Sequence, residues 1–148
     1  MVSEKDLSII RFLRKDARIT LADISRKTGI PISTVFDKLG KFEDNLIDRH
    51  VSLLNFPKLG YALKVNYIIK CKDKEKLKEF LCINKSINNL YRINNGSDFF
   101  AEAIFKDMNE MEEFSEKLDE FGIEKKDRFH VIEELKKESF LTENAAKK

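Results

Sequence analysis

The sequence predicts an α+β protein, in which an N-terminal winged helix–turn–helix is joined by a hinge to a C-terminal ferredoxin-like βαββαβ domain. Three observations predict this fold. Apolar residues at helical spacing, with caps at Ser3 and Thr20 and a stop at Gly29, fill the first third of the chain. Pro57 and Gly60 then interrupt the pattern. Beyond them, strand-like and helical patterns follow in the order β-α-β-β-α-β.

Length and charge limit the class of protein. The chain has 148 residues, which allows one domain or two small ones. Charged residues make up 36% of the chain, well above the usual ~25%, so a large surface relative to volume is expected. The net charge of +2 lies within residues 1–50, which hold ten basic and eight acidic side chains. This small excess hints at a polyanion as partner.

Caps and periodicity predict the first two helices. Ser3 and the acidic residues after it begin a helix that ends near Asp16. Its apolar positions at helical spacing are Leu7, Ile10 and Leu13. Thr20 begins the second helix, and Gly29 ends it, as a glycine in the left-handed region does.

The third helix is predicted to begin near Pro31–Ser33 and to stop at Asn45. Its positions expected to be buried are Val35, Leu39 and Phe42. Its opposite, exposed face is expected to hold Thr34, Asp37, Lys38 and Lys41. Two short strands over residues 46–47 and 51–54 then predict a β wing.

The linker and the change of periodicity set the predicted domain boundaries. Residues 1–50 form the winged helix–turn–helix, 51–60 the hinge strand and linker, and 61–148 the ferredoxin-like domain. Within the last domain we expect strands over 61–71, 90–94, 99–105 and 129–132, and helices over 74–83 and 108–121.

Several function classes find no support in the sequence. The N-terminus has no apolar signal region, and no apolar run approaches the ~20 residues of a membrane helix, so a cytoplasmic protein that spans no membrane is expected. Cys71 and Cys82 lack CxxC spacing and neighbouring histidines. They are therefore expected to be two free, buried thiols rather than a metal site or a disulfide framework.

No catalytic residue and no cofactor are predicted. The chain has no glycine-rich phosphate loop, and its two histidines fall in different predicted domains. His50 is expected to be a solvated loop residue, with contact to the DNA backbone as the alternative. His130 is expected to be a structural residue on a strand. The carboxylate pairs, such as Glu112 and Glu113, lie in charge-rich stretches with nothing apolar nearby to raise a pKa.

The exposed face of the third helix is the candidate site. The second helix of a helix–turn–helix enters the major groove of double-stranded DNA. Short hydroxyls at its N-terminus can reach phosphates or base edges, and lysines can contact phosphate or guanine. The predicted DNA-binding residues are Ser33, Thr34, Asp37, Lys38, Lys41 and Arg49. The alternative is the solvated face of an ordinary three-helix bundle.

The sequence resembles the Lrp/AsnC (leucine-responsive, feast/famine) transcription regulators. The residues that carry the resemblance are 7–18, 21–25, 29–35, 43–47 and 58–61. The resemblance implies a homodimer formed through the sheets of the C-terminal domain, with tetramers or octamers built from dimers. It also implies an amino-acid effector bound between dimers.

The family resemblance also implies an effector loop. Family members often carry a Gly-x-x-Asp turn near the ligand, and the matching residues here are Asn95, Gly96, Ser97 and Asp98. Asn95 stands where that glycine falls, and Asp98 keeps the acidic position. An ordinary hairpin turn is the alternative, since Asn-Gly is a strong hairpin signal. A regulator without an effector also stays open.

The third helix departs from the family pattern. Pro31 stands where the family usually has a capping serine, so Ser33 is expected to cap instead. The family's arginine-rich positions read Asp37, Lys38 and Gly40. Phe36 is expected to pack at the edge of the core, with contact to a thymine methyl group as the alternative.

Two other functions remain open at this point. Some siroheme decarboxylases share the architecture, so the fold alone does not exclude an enzyme. A ligand sensor or assembly module without DNA binding is the second alternative, because the N-terminal third is only weakly basic.

Overall fold

The structure is a computed structural model that describes residues 1–143. It consists of two compact units. The first comprises residues 1–53 together with the described residues from Leu135 onward, and the second comprises Leu54–Glu134. The functional boundaries at residues 50 and 60 remain predictions. The last part of the predicted third segment, residues 144–148, lies outside the described residues.

Three helices form the first unit: α1 (Glu4–Lys15), α2 (Leu21–Thr28) and α3 (Ile32–Asn45). The two predicted N-terminal caps are confirmed. The Ser3 hydroxyl accepts a hydrogen bond from the Asp6 amide at 3.1 Å, and the Asp6 carboxylate accepts one from the Ser3 amide at 2.8 Å. The Thr20 hydroxyl accepts from the Asp23 amide at 3.1 Å. Gly29 ends α2 with a φ of 73°, in the left-handed region.

A small apolar core holds the three helices together. Its buried side chains are Ile9 from α1, Ile24 from α2, Ile30 from the turn, and Val35 and Phe42 from α3. Partly buried side chains from α1 and from the chain after α3 pack around this cluster. The turn between α2 and α3 is closed by the Ser25 hydroxyl, which donates to the Ile30 carbonyl at 2.6 Å. The periodicity predicted Val35 and Phe42 correctly, but the buried residue of α1 is Ile9, and the expected Leu7, Ile10 and Leu13 are only partly buried.

The predicted wing strands over 46–47 and 51–54 are wrong, because the structure has no strand between α3 and residue 56. The amides of Leu46 and Ile47 instead both donate to the Phe42 carbonyl and close the end of α3. Val51 and Leu53 are more than half exposed. A short segment of strand-forming residues becomes a strand only where a second strand completes its backbone ladder. No such ladder forms here.

The second unit has the predicted order β-α-β-β-α-β. Its elements are β1 (Leu63–Cys71), α4 (Lys74–Ile83), β2 (Ile87–Arg92), β3 (Phe99–Phe105), α5 (Met108–Leu118) and β4 (Ile123–His130). One-turn 3-10 helices lie at Pro57–Leu59 and Asp119–Phe121. The four strands form one antiparallel sheet in the order β2-β3-β1-β4. This is the predicted ferredoxin-like arrangement.

The core of the second unit lies between one face of the sheet and the two helices. The fully buried side chains of β1 and β3 alternate along their strands, and they pack on α4 and α5. An aromatic group at the centre joins the layers, with the Phe114 ring of α5 5.3 Å from Tyr67 and 5.4 Å from Phe105. The Tyr67 hydroxyl shares a buried hydrogen bond with Ser115 at 3.1 Å, which satisfies both groups.

Three details of the second unit differ from the sequence-based expectations. The last strand was expected to start near Phe129, but β4 runs over Ile123–His130. Its charged residues hide the strand pattern, because Lys126 pairs with Asp119, directly after α5, and Arg128 pairs with Glu112 of α5. The β2 strand begins at Ile87, three residues earlier than expected. Cys71 is buried as expected, whereas Cys82 is exposed.

The other face of the sheet is not covered by α4 or α5. Its side chains come from alternate positions of the strands, and the central ones, on β1 and β3, are Asn66, Ile68, Phe100, Glu102 and Ile104. All five are only partly buried. We call this surface the open face.

The C-terminal segment of the described chain packs against α1. The Arg14 guanidinium donates at 3.0 Å to the backbone carbonyls of both Glu138 and Phe140, and it pairs with the Glu138 carboxylate at 3.3 Å. Glu138 and Leu141 both have left-handed backbone angles, with φ of 48° and 57°. The first unit is therefore built from two separate parts of the chain.

Candidate nucleic-acid interface

The α3 helix shows one face to the core and the other to solvent. Val35 and Phe42, seven residues apart, are both buried, and Leu39 between them is partly buried. The helical repeat then turns the intervening residues outward. The exposed residues of the outward face are Ser33, Phe36, Asp37, Gly40 and Lys41. The predicted site residues Thr34 and Lys38 are only partly exposed, so the expectation of full exposure was wrong for these two.

The N-terminus of α3 has no side-chain cap. Pro31 occupies the N-cap position, and Ser33 lies inside the first turn, so the expected Ser33 cap is wrong. An N-cap residue needs a non-helical backbone to turn its side chain toward the free amides. Ser33 lies within α3, so its backbone is helical and it cannot act as the cap. The first turn of α3 also contains no acidic residue. Its free N–H groups and the positive end of the helix dipole can therefore receive an anion.

Lys38 is held in an ion pair with α1. Its Nζ lies 2.6 Å from Oδ1 of Asp6, and the two side chains are 27% and 14% exposed. The ammonium of Lys38, together with the Ser3 amide, lowers the pKa of Asp6 from 3.8 to about 2. Because Asp6 also completes the cap of α1, this carboxylate couples the start of α1 to the middle of α3.

The charge of α3 differs from what a phosphate-binding helix needs. It contains two lysines and three acidic residues, so its own net charge is −1. Asp37 and Lys41 lie on the outward face, and the Lys38 charge is neutralised by Asp6. The remainder of residues 1–50 contains eight basic and five acidic side chains. The positive charge of the first unit therefore lies mostly outside α3.

Large apolar side chains are exposed on α3. Phe36 is 64% exposed and Ile32 is 51% exposed. The expectation that Phe36 packs at the edge of the core was therefore wrong. Phe36 lies seven residues before the exposed Glu43 and one residue after the buried Val35, and this position turns its ring away from the core. Gly40 follows one turn later, and an added Cβ there would meet no atom within 4 Å.

The remaining N-terminal candidates lie beyond α3. Arg49 is exposed, four residues after the helix ends. His50 is also exposed, and its Nε2 lies 3.6 Å from a carboxylate oxygen of Glu43. His130 lies on β4, where it pairs with Val65 in the register of the sheet.

The predicted effector loop forms the hairpin turn between β2 and β3. Asn95 and Gly96 both have left-handed backbone angles, with φ of 70° and 88°. The Asp98 carboxylate accepts a hydrogen bond from the Cys71 amide at 3.0 Å and lies 3.3 Å from the Lys74 ammonium. The Cys71 hydrogen bond, with support from Lys74, lowers the pKa of Asp98. The turn therefore connects the ends of β1 and β3 to α4.

The part of the chain that the structure describes contains neither a candidate metal site nor a membrane-spanning helix. Within residues 1–143, no three His, Cys, Asp or Glu side chains come together in a way that could hold a metal ion. No helix among these residues has the length and apolar character needed to cross a membrane.

Comparison with known proteins gives matches along the whole chain. Residues 2–45 match a family model described as winged helix-turn-helix DNA-binding. An uncharacterized HTH-type transcriptional regulator of Pyrococcus abyssi is 27% identical over 146 residues, which cover 97% of this chain and 99% of the relative.

Solved structures show the same fold. A transcriptional regulator of Neisseria meningitidis in complex with L-Met superposes with a TM-score of 0.85 at 19% identity, covering 93% of this chain and 94% of the other. An AsnC family transcriptional regulator of Agrobacterium tumefaciens superposes with a TM-score of 0.83 at 20% identity, covering 92% and 94%. These likenesses extend over both compact units.

The fold defines a class of protein in which an N-terminal helix–turn–helix is followed by a C-terminal ferredoxin-like domain. The resemblance to Lrp/AsnC regulators is confirmed at the level of the fold, and residues 2–45 match a winged helix-turn-helix DNA-binding family.

Sequence reasoning missed two features of this interface. The first is Asp6, whose pairing with Lys38 joins residues 32 positions apart and has no signal in the sequence. The second is the exposure of Phe36. The predicted core positions Val35, Leu39 and Phe42 could have predicted it, because the helical repeat that points them inward turns Phe36 toward the opposite side.

The Asp6–Lys38 pair makes stability depend on pH. Because the pKa of Asp6 is about 2 in the folded state and 3.8 in the unfolded state, the contacts of its carboxylate with Lys38 and Ser3 stabilise fully above about pH 4, and their contribution disappears as the pH falls toward 2. We expect Asp6→Asn to lower the free energy of unfolding by about 1–2 kcal/mol at pH 7. The difference from wild type should shrink between pH 4 and pH 3 in urea unfolding.

The matched control is Asp37→Asn, the same change at an exposed position of α3. It should change stability by less than about 0.5 kcal/mol. Equal effects of the two substitutions at pH 7 would contradict a stabilising role of the pair.

Gly40 should limit the stability of α3. A glycine in an exposed helix interior costs about 1 kcal/mol relative to alanine, and the added Cβ of Gly40→Ala meets no neighbour. We expect this substitution to raise the free energy of unfolding by about 0.5–1 kcal/mol in thermal or urea unfolding. Gly29→Ala is the opposite control, because the φ of 73° at Gly29 penalises any side chain. A loss of stability in Gly40→Ala would contradict the open surroundings of this residue.

Proposed function

We propose that the chain binds specific sites in double-stranded DNA through α3, as a homodimer or larger homo-oligomer, and so regulates transcription. One observation carries this proposal. The core fixes one side of α3 through Val35 and Phe42, while the other side of the helix is free of packing within its unit. A recognition helix has this arrangement, because it must be rigid and still able to enter the major groove.

Phosphate contacts are assigned first to Lys41 and Arg49, whose side chains are both exposed. The free N–H groups at the start of α3 add a site for one more phosphate. The ammonium of Lys38 is less available for a phosphate contact, because a phosphate must compete for it with the Asp6 carboxylate. The basic residues of α1 and α2 supply the remaining positive charge.

Base contacts are assigned to residues near the N-terminus of α3. Ser33 and Thr34 can donate and accept hydrogen bonds at base edges. The exposed Asp37 can accept a hydrogen bond from the amino group of cytosine, and it repels phosphate. These contacts differ from the arginine–guanine pairs that an arginine-rich helix makes, so a different sequence preference is expected.

Dimerisation is assigned to the open face of the second unit. Apolar and polar residues alternate there, with Ile68 beside Phe100 and Asn66 beside Glu102 in the register of β1 and β3. Within the described chain, Oδ1 of Asn66 is buried and accepts no hydrogen bond. A second copy placed on this face would cover the apolar residues and offer donors to Asn66. Two such chains can read a palindromic site.

An amino acid is the proposed effector, at the turn of Asn95, Gly96, Ser97 and Asp98. The L-Met complex of the Neisseria meningitidis regulator supports an amino acid as the ligand class. The Asp98 carboxylate is the one acidic group of this turn, and the Cys71 amide and Lys74 ammonium already bind it. An effector amine would therefore share this carboxylate with Lys74.

No catalytic role is proposed. Decarboxylation of a tetrapyrrole needs basic side chains and a histidine around a large pocket, and the second unit offers His130 on an edge strand, where it is exposed. No observation favours an enzyme over a regulator.

Fluorescence anisotropy with a labelled duplex from the gene's own upstream region tests the DNA-binding proposal. We expect tighter binding to this duplex than to a shuffled one, with log affinity falling linearly with log salt. Lys41→Ala should weaken binding to both duplexes and reduce the salt slope by about one. Adding single amino acids to the titration tests the effector.

The matched control is Lys78→Ala, which removes the same charge from the exposed side of α4. It should leave the affinity and the slope unchanged. Equal slopes for wild type and Lys41→Ala would remove α3 from the interface, and equal weak binding to both duplexes would remove sequence-specific recognition.

The open face can be tested by placing a charge at its centre. Ile68→Glu should shift the protein from dimer to monomer in sedimentation velocity, because two copies of a buried glutamate would face an apolar surface without partners. The control is Ile83→Glu at the exposed end of α4, which should stay dimeric. A dimeric Ile68→Glu protein with an unchanged far-UV spectrum would place the interface elsewhere.

A further inference from the structure

The outward face of α3 carries an apolar row that folding does not require. Ile32, Phe36 and Gly40 follow one another at four-residue spacing, so they lie along one side of the helix. Phe36 and Ile32 are 64% and 51% exposed, and neither belongs to the buried core of the first unit. We call these three residues the apolar row.

Gly40 adds an independent observation. It has an ordinary helical backbone, and an added Cβ would meet no atom of the chain within 4 Å. Neither a left-handed turn nor close packing within the chain accounts for a glycine at this position. A surface that comes close to the α3 backbone from outside does account for it.

The hydrogen-bonding groups of α3 are few. The helix contains no arginine and no glutamine, and its one asparagine, Asn45, lies in the last turn, where its side-chain amide donates to the Lys41 carbonyl. The contacts that arginine makes to guanine and glutamine makes to adenine are therefore absent, and Lys41 is the exposed side chain of this helix that can still contact guanine. The middle of the helix exposes the phenyl ring of Phe36 and, at Gly40, a backbone without a side chain.

We propose that α3 recognises thymine through its C5-methyl group, with Phe36 as the specificity-determining residue and Gly40 as the residue that lets the backbone come close. The methyl group of thymine is the apolar group that a base pair presents in the major groove, and it suits an aromatic or aliphatic side chain. Ile32 extends the contact toward the start of the helix. This inference rests on the proposed function, because it requires that α3 enters the major groove.

The alternative occupant of the apolar row is another protein surface. The match of residues 2–45 to a DNA-binding family and the free N–H groups one turn before Phe36 favour DNA. A protein partner would need neither the methyl group nor the anion site, so the experiment can separate the two.

The experiment compares thymine with uracil, which lacks the methyl group. The full-length wild type first selects duplexes from a random-sequence pool, and one enriched duplex is then made with each thymine in turn replaced by deoxyuridine. Wild type should bind about fourfold more weakly for each contacted methyl group that is removed. Phe36→Ala should bind the thymine and uracil duplexes equally at those positions, with an unchanged salt slope, since the ring contacts no phosphate.

Three further variants complete the experiment, and the first of them is the control. Ile83→Ala, at an exposed apolar position on α4, should keep the wild-type preference for thymine. Phe36→Leu should keep a reduced preference, and it serves in place of Phe36→Ala if the alanine variant fails to fold. Gly40→Ala should bind all selected duplexes at least threefold more weakly, although its thermal midpoint rises.

The possible failures are distinguishable. If wild type enriches no sequence, the proposed function fails and the inference fails with it. If wild type selects a site but binds its thymine and uracil forms equally, the inference alone is overturned. The same holds if Phe36→Ala keeps the full thymine preference, and unchanged affinity of Gly40→Ala would overturn the close approach at Gly40.

Discussion

The burial of Val35 and Phe42 in the core of the first unit determines most of what α3 can do. These two side chains lie seven residues apart, about two helical turns, and they pack with Ile9 and Ile24. Once they are fixed, the helical repeat leaves no choice about which residues face solvent. Removing either side chain would therefore do more than create a cavity, because it would release the rotation of α3 about its own axis.

Electrostatics connect this core to the interface. One of the two lysines of α3, Lys38, forms an ion pair with Asp6 of α1. Its benefit is geometric, since it fixes the middle of α3 against the capped start of α1. The cost is that α3 presents little positive charge to DNA. We therefore propose that α3 supplies the base contacts and only a few of the phosphate contacts, while most of the positive charge available for phosphate lies outside α3.

The fold could be predicted from the sequence where local signals determine structure. Ser3, Thr20 and Gly29 act within one helical turn, and β1 and β3 alternate buried and partly buried residues. The prediction of secondary structure failed where contacts with residues far along the chain determine whether a strand forms. Strand β4 has few apolar residues, because the stems of Lys126 and Arg128 replace them, and their charged ends pair with Asp119 after α5 and with Glu112 of α5.

The candidate site was predictable only in outline. Six residues were predicted for the site, five on α3 and Arg49 after it, and four of them, Ser33, Asp37, Lys41 and Arg49, are exposed as the prediction requires. Thr34 lies closer to the core, and Lys38 is paired with a residue that no short-range pattern connects to it. The predicted wing fails for the same reason, because residues 46–54 carry strand-forming side chains but no strand completes their ladder.

The contact of Arg14 with the backbone of Glu138 and Phe140 has a practical consequence for protein production. A fragment that ends at residue 53 keeps all three N-terminal helices but lacks the carbonyl groups that bind the end of α1. Such a fragment leaves the Arg14 guanidinium without these acceptors. A circularly permuted gene could place residues 135–143 before Met1 and join them to it through a short glycine-rich linker. The resulting fragment would lack the sheet but keep the contact with Arg14.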